Sequence, residues 1–338
     1  MSNNIIDSAQ IVKNIEDMRC YGAYSLDDEI RNASTSGGIF SCLAQAVLLQ
    51  NGYVCGAAYN AKNEVEHIII SNINDLELLR RSKYVQSRIG NCYIDIKRIL
   101  DNGDLLLFSG APCQVSGLNL FLGKNYENLL TVDFICCGMP SPKAFRKYID
   151  YLADKYKSAV ESVWFKNKTN GWHNLGTKVE FENGSTYFRQ GNRDYFMSDY
   201  IFDSLTVRES CTVCQFKHIP HDSDITMGDF WGIEDIHSEF DDDKGISAVI
   251  INSKKGRDAF EAIRDGIFCF ETNINDIAKK NFTLYQSIPY NYKQKSFFEE
   301  LEIKRFDKVS RKYGSYRGIR KTIIDMKHYM RIIIRRLI

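Results

Sequence analysis

From Ser36 to Asn51 the chain reads SGGIFSCLAQAVLLQN: two glycines, apolar residues at helical spacing, then an Asn-Gly stop. The pattern predicts a helix opened by a glycine turn. Tyr53–Tyr59 and Val65–Ser71 are rich in aromatic and β-branched residues and read as two strands joined by a polar turn. Helices are expected near 74–82 and 91–102. A buried strand over Leu105–Phe108 then runs through a Gly-Ala-Pro turn into a helix near Gln114. Leu129–Ile135 repeats the plan, leading through CCGMPSP to a helix from about Lys143 to Lys155. Consecutive strand–turn–helix units predict a partly parallel layer. Ligands tend to bind at the carboxyl edge of such a layer, where these turns would carry Cys113 and Cys136–Cys137.

Beyond Ser158 the texture changes to short strands, in SVWF, TKVEFENGSTYF and DITMGDFWGI, with one more strand–helix pair in SAVIINSKKGRDAFEAI. The expected fold class is therefore α+β (mixed α/β), with mixed sheets flanked by helices, two abutting subdomains and a C-terminal basic helix. The expected organisation is an N-terminal lead over 1–30, domains over 31–108 and 109–290, and a basic helical tail over 291–338. Within that tail, residues 311–338 hold nine Lys/Arg against one acidic residue, with Ile319, Ile323, Met326, Met330, Ile333 and Leu337 at helical spacing. Such a helix suits an anionic membrane surface or a protein partner, and equally a solvated face on its own domain.

Lysine plus arginine (44) nearly cancels aspartate plus glutamate (43), so charge gives no argument for nucleic acid, and none is expected as a partner. The N-terminus lacks the pattern of a signal peptide, and no apolar run approaches the ~20 residues that span a bilayer. With ten cysteines, this predicts a cytoplasmic protein whose thiols stay reduced or bind metal. The segment 311–338 is the candidate contact to the inner membrane face.

Cys42 lies in a helical apolar run and Cys55 in a strand, while Cys20, Cys92 and Cys269 are isolated. Such thiols are ordinarily small buried hydrophobes. Cys113, Cys136, Cys137, Cys211 and Cys214 instead sit in turns or at element ends. Zinc, an iron–sulfur cluster and a redox dithiol all suit them, and a single CxxC does not choose.

Ser34–Gly38 offers hydroxyls and close-approach backbone at a helix start, a phosphate cradle or an ordinary cap. RRSKYVQSRIG, over 80–90, combines cations, a ring and amides suited to a flavin or pyrophosphate, or forms a polar connector. Asp229, in MGDFWG, is a turn residue or a carboxylate held near a ligand. His173, His218 and His221 fall near these stretches without forming a zinc-protease or hydrolase pattern.

In order, CYGAYSLDDEIRNASTSGGIFSCLA, SKYVQS, LLFSGAPCQVSGL, VDFICCGMPSP, KNKTNGW, CTVCQF and DITMGDFWGI resemble the coenzyme F420 hydrogenase/dehydrogenase beta-subunit family. The likeness spans roughly Cys20 to Ile263 and is nearest the bacterial branch associated with surface-polysaccharide gene clusters. It implies an oxidoreductase with FAD and one 4Fe–4S cluster, moving electrons between a one-electron carrier and a two-electron small-molecule substrate. It assigns the cluster to Cys113, Cys136, Cys211 and Cys214, with Cys137 standing where relatives have histidine. It assigns the flavin to Ser36, Gly37, Gly38, Lys83, Tyr84, Gln86, Ser87, Gly110 and Gln114. The two-cluster ferredoxin module of many relatives does not precede Cys20, which implies a separate ferredoxin or other electron donor. Two other readings stand beside this one: a non-redox accessory or scaffold protein of polysaccharide assembly, and a zinc-stabilised binding protein.

Overall fold

The computed structural model describes residues 18–315. Its main sheet has eight strands in the order β11-β1-β10-β9-β5-β4-β2-β3. These are β1 (Arg19–Ser25), β2 (Tyr53–Tyr59), β3 (Val65–Ile70), β4 (Leu106–Ser109), β5 (Leu129–Phe134), β9 (Ile225–Asp229), β10 (Ser247–Ile251) and β11 (Ile267–Thr272). β2, β4, β5 and β9 run parallel at the centre, and antiparallel strands complete both sides. The expected α+β fold with mixed sheets is what the chain adopts.

The centre reads as near-continuous apolar runs because helices cover both faces. Successive residues of β4 alternate sides. Leu107 packs with α2 (Ile39–Leu48) and α9 (Lys254–Ala262), whereas Leu106 and Phe108 pack with α4 (Cys92–Asp101) and α5 (Pro112–Leu122). A second sheet, β6 (Val160–Asn167), β7 (Gly176–Phe181) and β8 (Thr186–Gln190), is an antiparallel meander. Its β7–β8 hairpin turns at Asn183-Gly184, with Gly184 at φ 79. The core beneath this sheet is closed by α6 (Pro142–Tyr156), α7 (Tyr195–Ile201), α11 (Gln294–Ile303) and α12 (Phe306–Tyr313).

Two elements depart from the sequence expectation. β1 lies within the stretch read as an N-terminal lead, yet it is a sheet strand between β10 and β11. The helix expected over 74–82 is a short turn and a single helical turn, α3 (Leu76–Leu79), after which Arg81 takes φ 73. The basic helix expected over 311–338 falls largely on residues outside those described; α12 ends at Tyr313. Among the described residues no helix is long and apolar enough to cross a membrane.

Candidate functional site

The parallel strands end at one cavity of about 270 Å³. Ala57 of β2, Ser109 of β4 and the following Gly110, Asp133 of β5 and Gly228–Asp229 of β9 line it. This is the carboxyl-edge position that consecutive strand–turn–helix units predict.

Of the residues assigned to a flavin, Ser36, Gly38, Lys83, Tyr84, Ser87, Gly110 and Gln114 line this cavity. Gly37 and Gln86 stand off the wall, engaged through their backbones. The Gly37 N–H donates to Ser247 Oγ at 3.0 Å, and the Gln86 N–H donates to the Pro140 carbonyl at 3.0 Å. The turn before α2 is fixed from outside. Lys168 Nζ donates to the carbonyls of Arg31, Ser36 and Lys244 at 2.8, 2.6 and 2.7 Å. Gly38 closes the turn at φ 89, a conformation suited to glycine. Gln114 locks the next turn: its Oε1 accepts from the Ala111 N–H at 2.9 Å, and its Nε2 donates to Ser87 Oγ at 3.0 Å.

Charges on the wall are spoken for. Lys83 Nζ donates to the carbonyls of Leu78 and Arg80 at 2.9 and 2.6 Å. Burial pulls its ammonium down to about 7, with Arg81 adding to the shift and Glu77 opposing it. Arg80 and Arg81 both pair with Glu77. His67 is buried and its Nε2 faces the Ser109 carbonyl at 3.1 Å. A carbonyl only accepts, so Nε2 carries the hydrogen and Nδ1 is the bare acceptor. Nδ1 has no hydrogen-bond partner among the described residues. Burial, opposed by the Ser109 carbonyl and aided by Lys83, pushes the His67 pKa down to about 4.

Opposite lies a second polar cluster. Lys166, in β6, donates to Asp229 Oδ2 at 2.5 Å. It takes φ 52 at a register shift of that strand. Trp172 stacks on Trp231 at 4.8 Å and 8°. Lys166 Nζ lies 5.1 Å from the Trp231 ring centre, and the Asn281 amide donates to the Asp229 carbonyl at 3.1 Å.

Beside the cavity the four cysteines assigned to a cluster come from three segments. Cys113 opens α5 and is exposed. Its pKa is raised, first by shielding of the sulfur and then by the neighbouring Cys214 and Cys211. Cys136 follows β5. Burial pushes its thiol up to about 12, with Lys217 opposing and Cys137 and Cys211 adding. Cys211 lies on a short turn over Glu209–Val213, and the Cys214 N–H donates to Ser287 Oγ at 3.0 Å. Gly138 lets the segments approach. It takes φ 85, and a Cβ there would come within 2.6 Å of Val207, 2.9 Å of Ile288 and 3.4 Å of Cys211 Cβ. Cys137 lines the cavity and contacts Thr283 Oγ1 at 3.3 Å. Of the thiols expected to be buried, Cys20, Cys55 and Cys92 are, whereas Cys42 and Cys269 are half-buried.

Among the described residues no three His, Cys, Asp or Glu side chains converge as the ligands of a single metal ion would. Cys113 neighbours Cys211 and Cys214, and Cys136 neighbours Cys211; all four thiols are soft donors of the kind an iron–sulfur cluster takes. The opposing cavity has the orphaned Nδ1 of His67 and a hydroxyl-rich turn, which fit an organic ligand bearing N–H donors.

Sequence reasoning attached no role to His67, Asp133 or Lys166. Lys166 stands in the KNKTNGW stretch, whose place opposite β9 follows only from the packing of the two sheets.

Fold and site together define a parallel-cored α+β protein with a cavity at its sheet edge and four thiols beside it. Residues 103–277, just over half of the chain, match the family described as the C terminus of the coenzyme F420 hydrogenase/dehydrogenase beta subunit, and this protein belongs to that family. It is a family of redox-enzyme subunits. The fold is also similar to that of a chain in the xenon-derivatised F420-reducing NiFe hydrogenase complex from Methanosarcina barkeri. That likeness has a TM-score of 0.53 and 19% identity, covering 83% of this chain and 91% of that one. No curated protein matches the sequence.

Proposed function

We propose that this chain is a flavin- and iron–sulfur-dependent oxidoreductase. It would pass electrons between a one-electron carrier, such as a separate ferredoxin, and a two-electron small-molecule substrate. One arrangement carries the reading. The cavity at the sheet edge has candidate flavin contacts on one wall and Cys137–Gly138 on another, and Cys136 and Cys211 flank that second wall.

A bound flavin supplies the exchange between one-electron and two-electron chemistry, and a cluster stores single electrons. The chain's own residues do the rest. The Ser36–Gly38 turn, held by Lys168, sets the start of α2 at the cavity, where the helix N-terminus would receive a phosphate. Gln114 fixes Ser87 and the Gly110 turn against the ring-binding side. Tyr84, lining the cavity beside Lys166, offers an aromatic edge. Cys113, Cys136, Cys211 and Cys214 would hold the cluster. The likeness of the motif series to the bacterial branch supports a role in surface-polysaccharide biosynthesis.

Titrating FAD into the cofactor-free chain tests this directly. The reading predicts stoichiometric binding with quenched flavin fluorescence, weakened at least about 10-fold by Gln114→Ala. Absence of binding by wild type would overturn the flavin assignment.

A further inference from the structure

One buried titratable pair at the cavity has no part in the binding described above. Asp133 is 1% exposed and lies on the cavity wall. Its Oδ2 meets His221 Nδ1 at 2.8 Å, and the His221 side chain is 3% exposed. The pair is bonded in its middle and open at both ends. Asp133 Oδ1 and His221 Nε2 are buried and have no hydrogen-bond partner among the described residues. Buried polar atoms of this kind are costly unless water completes them. Beyond His221, the ring of His218 lies 6.1 Å away, centre to centre. His218 is 45% exposed, with Nδ1 facing the Pro220 carbonyl at 2.7 Å and Nε2 4.0 Å from Asp222 Oδ1. A purely structural pair would have its outer atoms capped. One with open ends, between a ligand cavity and an exposed imidazole, has the layout of a conduit.

We propose that Asp133 and His221 form a proton relay between the cavity and the surface at His218. It supplies the proton that a reduced organic occupant takes up. The inference rests on the redox reading above. A one-electron donor delivers electrons without protons, yet oxidised flavin needs two electrons and one proton to become its anionic reduced form. That proton leaves the Asp133 carboxyl: its O–H bond breaks as an N–H bond forms on the ring. His221 restores it by breaking its Nδ1–H bond, after taking a proton from water at Nε2. One water-derived proton enters for each one delivered; the Asp133 carboxyl then rotates, and His221 regains its Nδ1–H tautomer by losing the Nε2 proton to water and taking one from water at Nδ1. Asp133, on the wall, is the delivering group, and His221 acts through it.

Two measurements on the full chain test the relay. In the FAD-loaded protein, electrons from pulse radiolysis are followed by flavin absorption and protons by an indicator dye. His221→Gln should leave FAD affinity and electron arrival unchanged, and both it and Asp133→Asn should slow proton uptake about 100-fold. Added 4-methylimidazole should restore uptake in His221→Gly. Unchanged uptake in both variants would overturn the relay. In the cofactor-free chain, nitrogen NMR follows exchange of the His221 ring proton with water. The relay predicts exchange at least about 100-fold faster than that of the β5 amides on either side of Asp133. A ring proton as protected as those amides would overturn it. Failure of wild type to bind FAD, with fast ring exchange, would sink the flavin reading and leave the conduit standing.

Discussion

Lys166 Nζ and Asp229 Oδ2 meet at 2.5 Å where the small sheet faces the main one, and both line the cavity. Burial pulls the ammonium down, but the Asp229 carboxylate and then Tyr84 more than offset it, leaving the Lys166 pKa above its ordinary value. The pair's contribution is therefore full below the ordinary lysine value and is lost only as pH rises through the raised one.

Removing the carboxylate strands the ammonium in a mostly buried position. Asp229→Asn should lower stability by about 3 kcal/mol, and adding Lys166→Met should recover part of the loss. Urea unfolding at neutral pH of the two single variants and the double variant gives the values.

Gly138 is constrained twice, by its φ of 85 and by Val207 at 2.6 Å from the Cβ position. Gly138→Ala should cost about 2 kcal/mol or more, combining backbone strain with overpacking. Because Cys211 lies behind the same position, the variant should also retain less iron. Thermal unfolding and iron analysis of one preparation check both effects.

The ligand assignment separates the cysteines. Cys211→Ser and Cys214→Ser should each lose iron and sulfide, while Cys269→Ser, on β11 at the far edge of the main sheet, should keep both. Full iron in both CxxC variants would remove Cys211 and Cys214 from the ligand set.

Lys83 gives a pH signature. Its folded value, about 7, lies below the ordinary 10.5, so above pH 7 the unfolded chain binds more protons. The depressed pKa contributes stability that is present at and above the ordinary value and is lost as pH falls to about 7. Between these limits, wild type should gain stability relative to Lys83→Met as pH rises. Melting temperatures of the pair from pH 7 to 10 measure the difference.

Much of the parallel core was legible because buried central strands are short apolar runs bounded by Gly and Pro turns. Tyr53–Tyr59 and Leu129–Phe134 stand where the pattern predicts them. The turns after β4 and β5 were readable for the same reason. β1 was not, because RCYGAYS alternates poorly and acquires its strand identity from β10 and β11 on either side. Neither was the opposition of Lys166 to Asp229 nor of Asp133 to His221. These pairs are 63 and 88 residues apart in sequence, and only tertiary packing joins them. The orphaned Nδ1 of His67 is likewise invisible until the Ser109 carbonyl fixes its tautomer.

The central claim is that flavin and cluster share this site. An absorption spectrum of protein purified without oxygen, with iron, sulfide, zinc and flavin assayed on the same sample, tests it most directly. The account predicts a broad shoulder near ~400 nm, iron and sulfide in equal amounts, and FAD released on denaturation. A colourless protein holding zinc or no metal, and taking up neither cofactor on reconstitution, would contradict it.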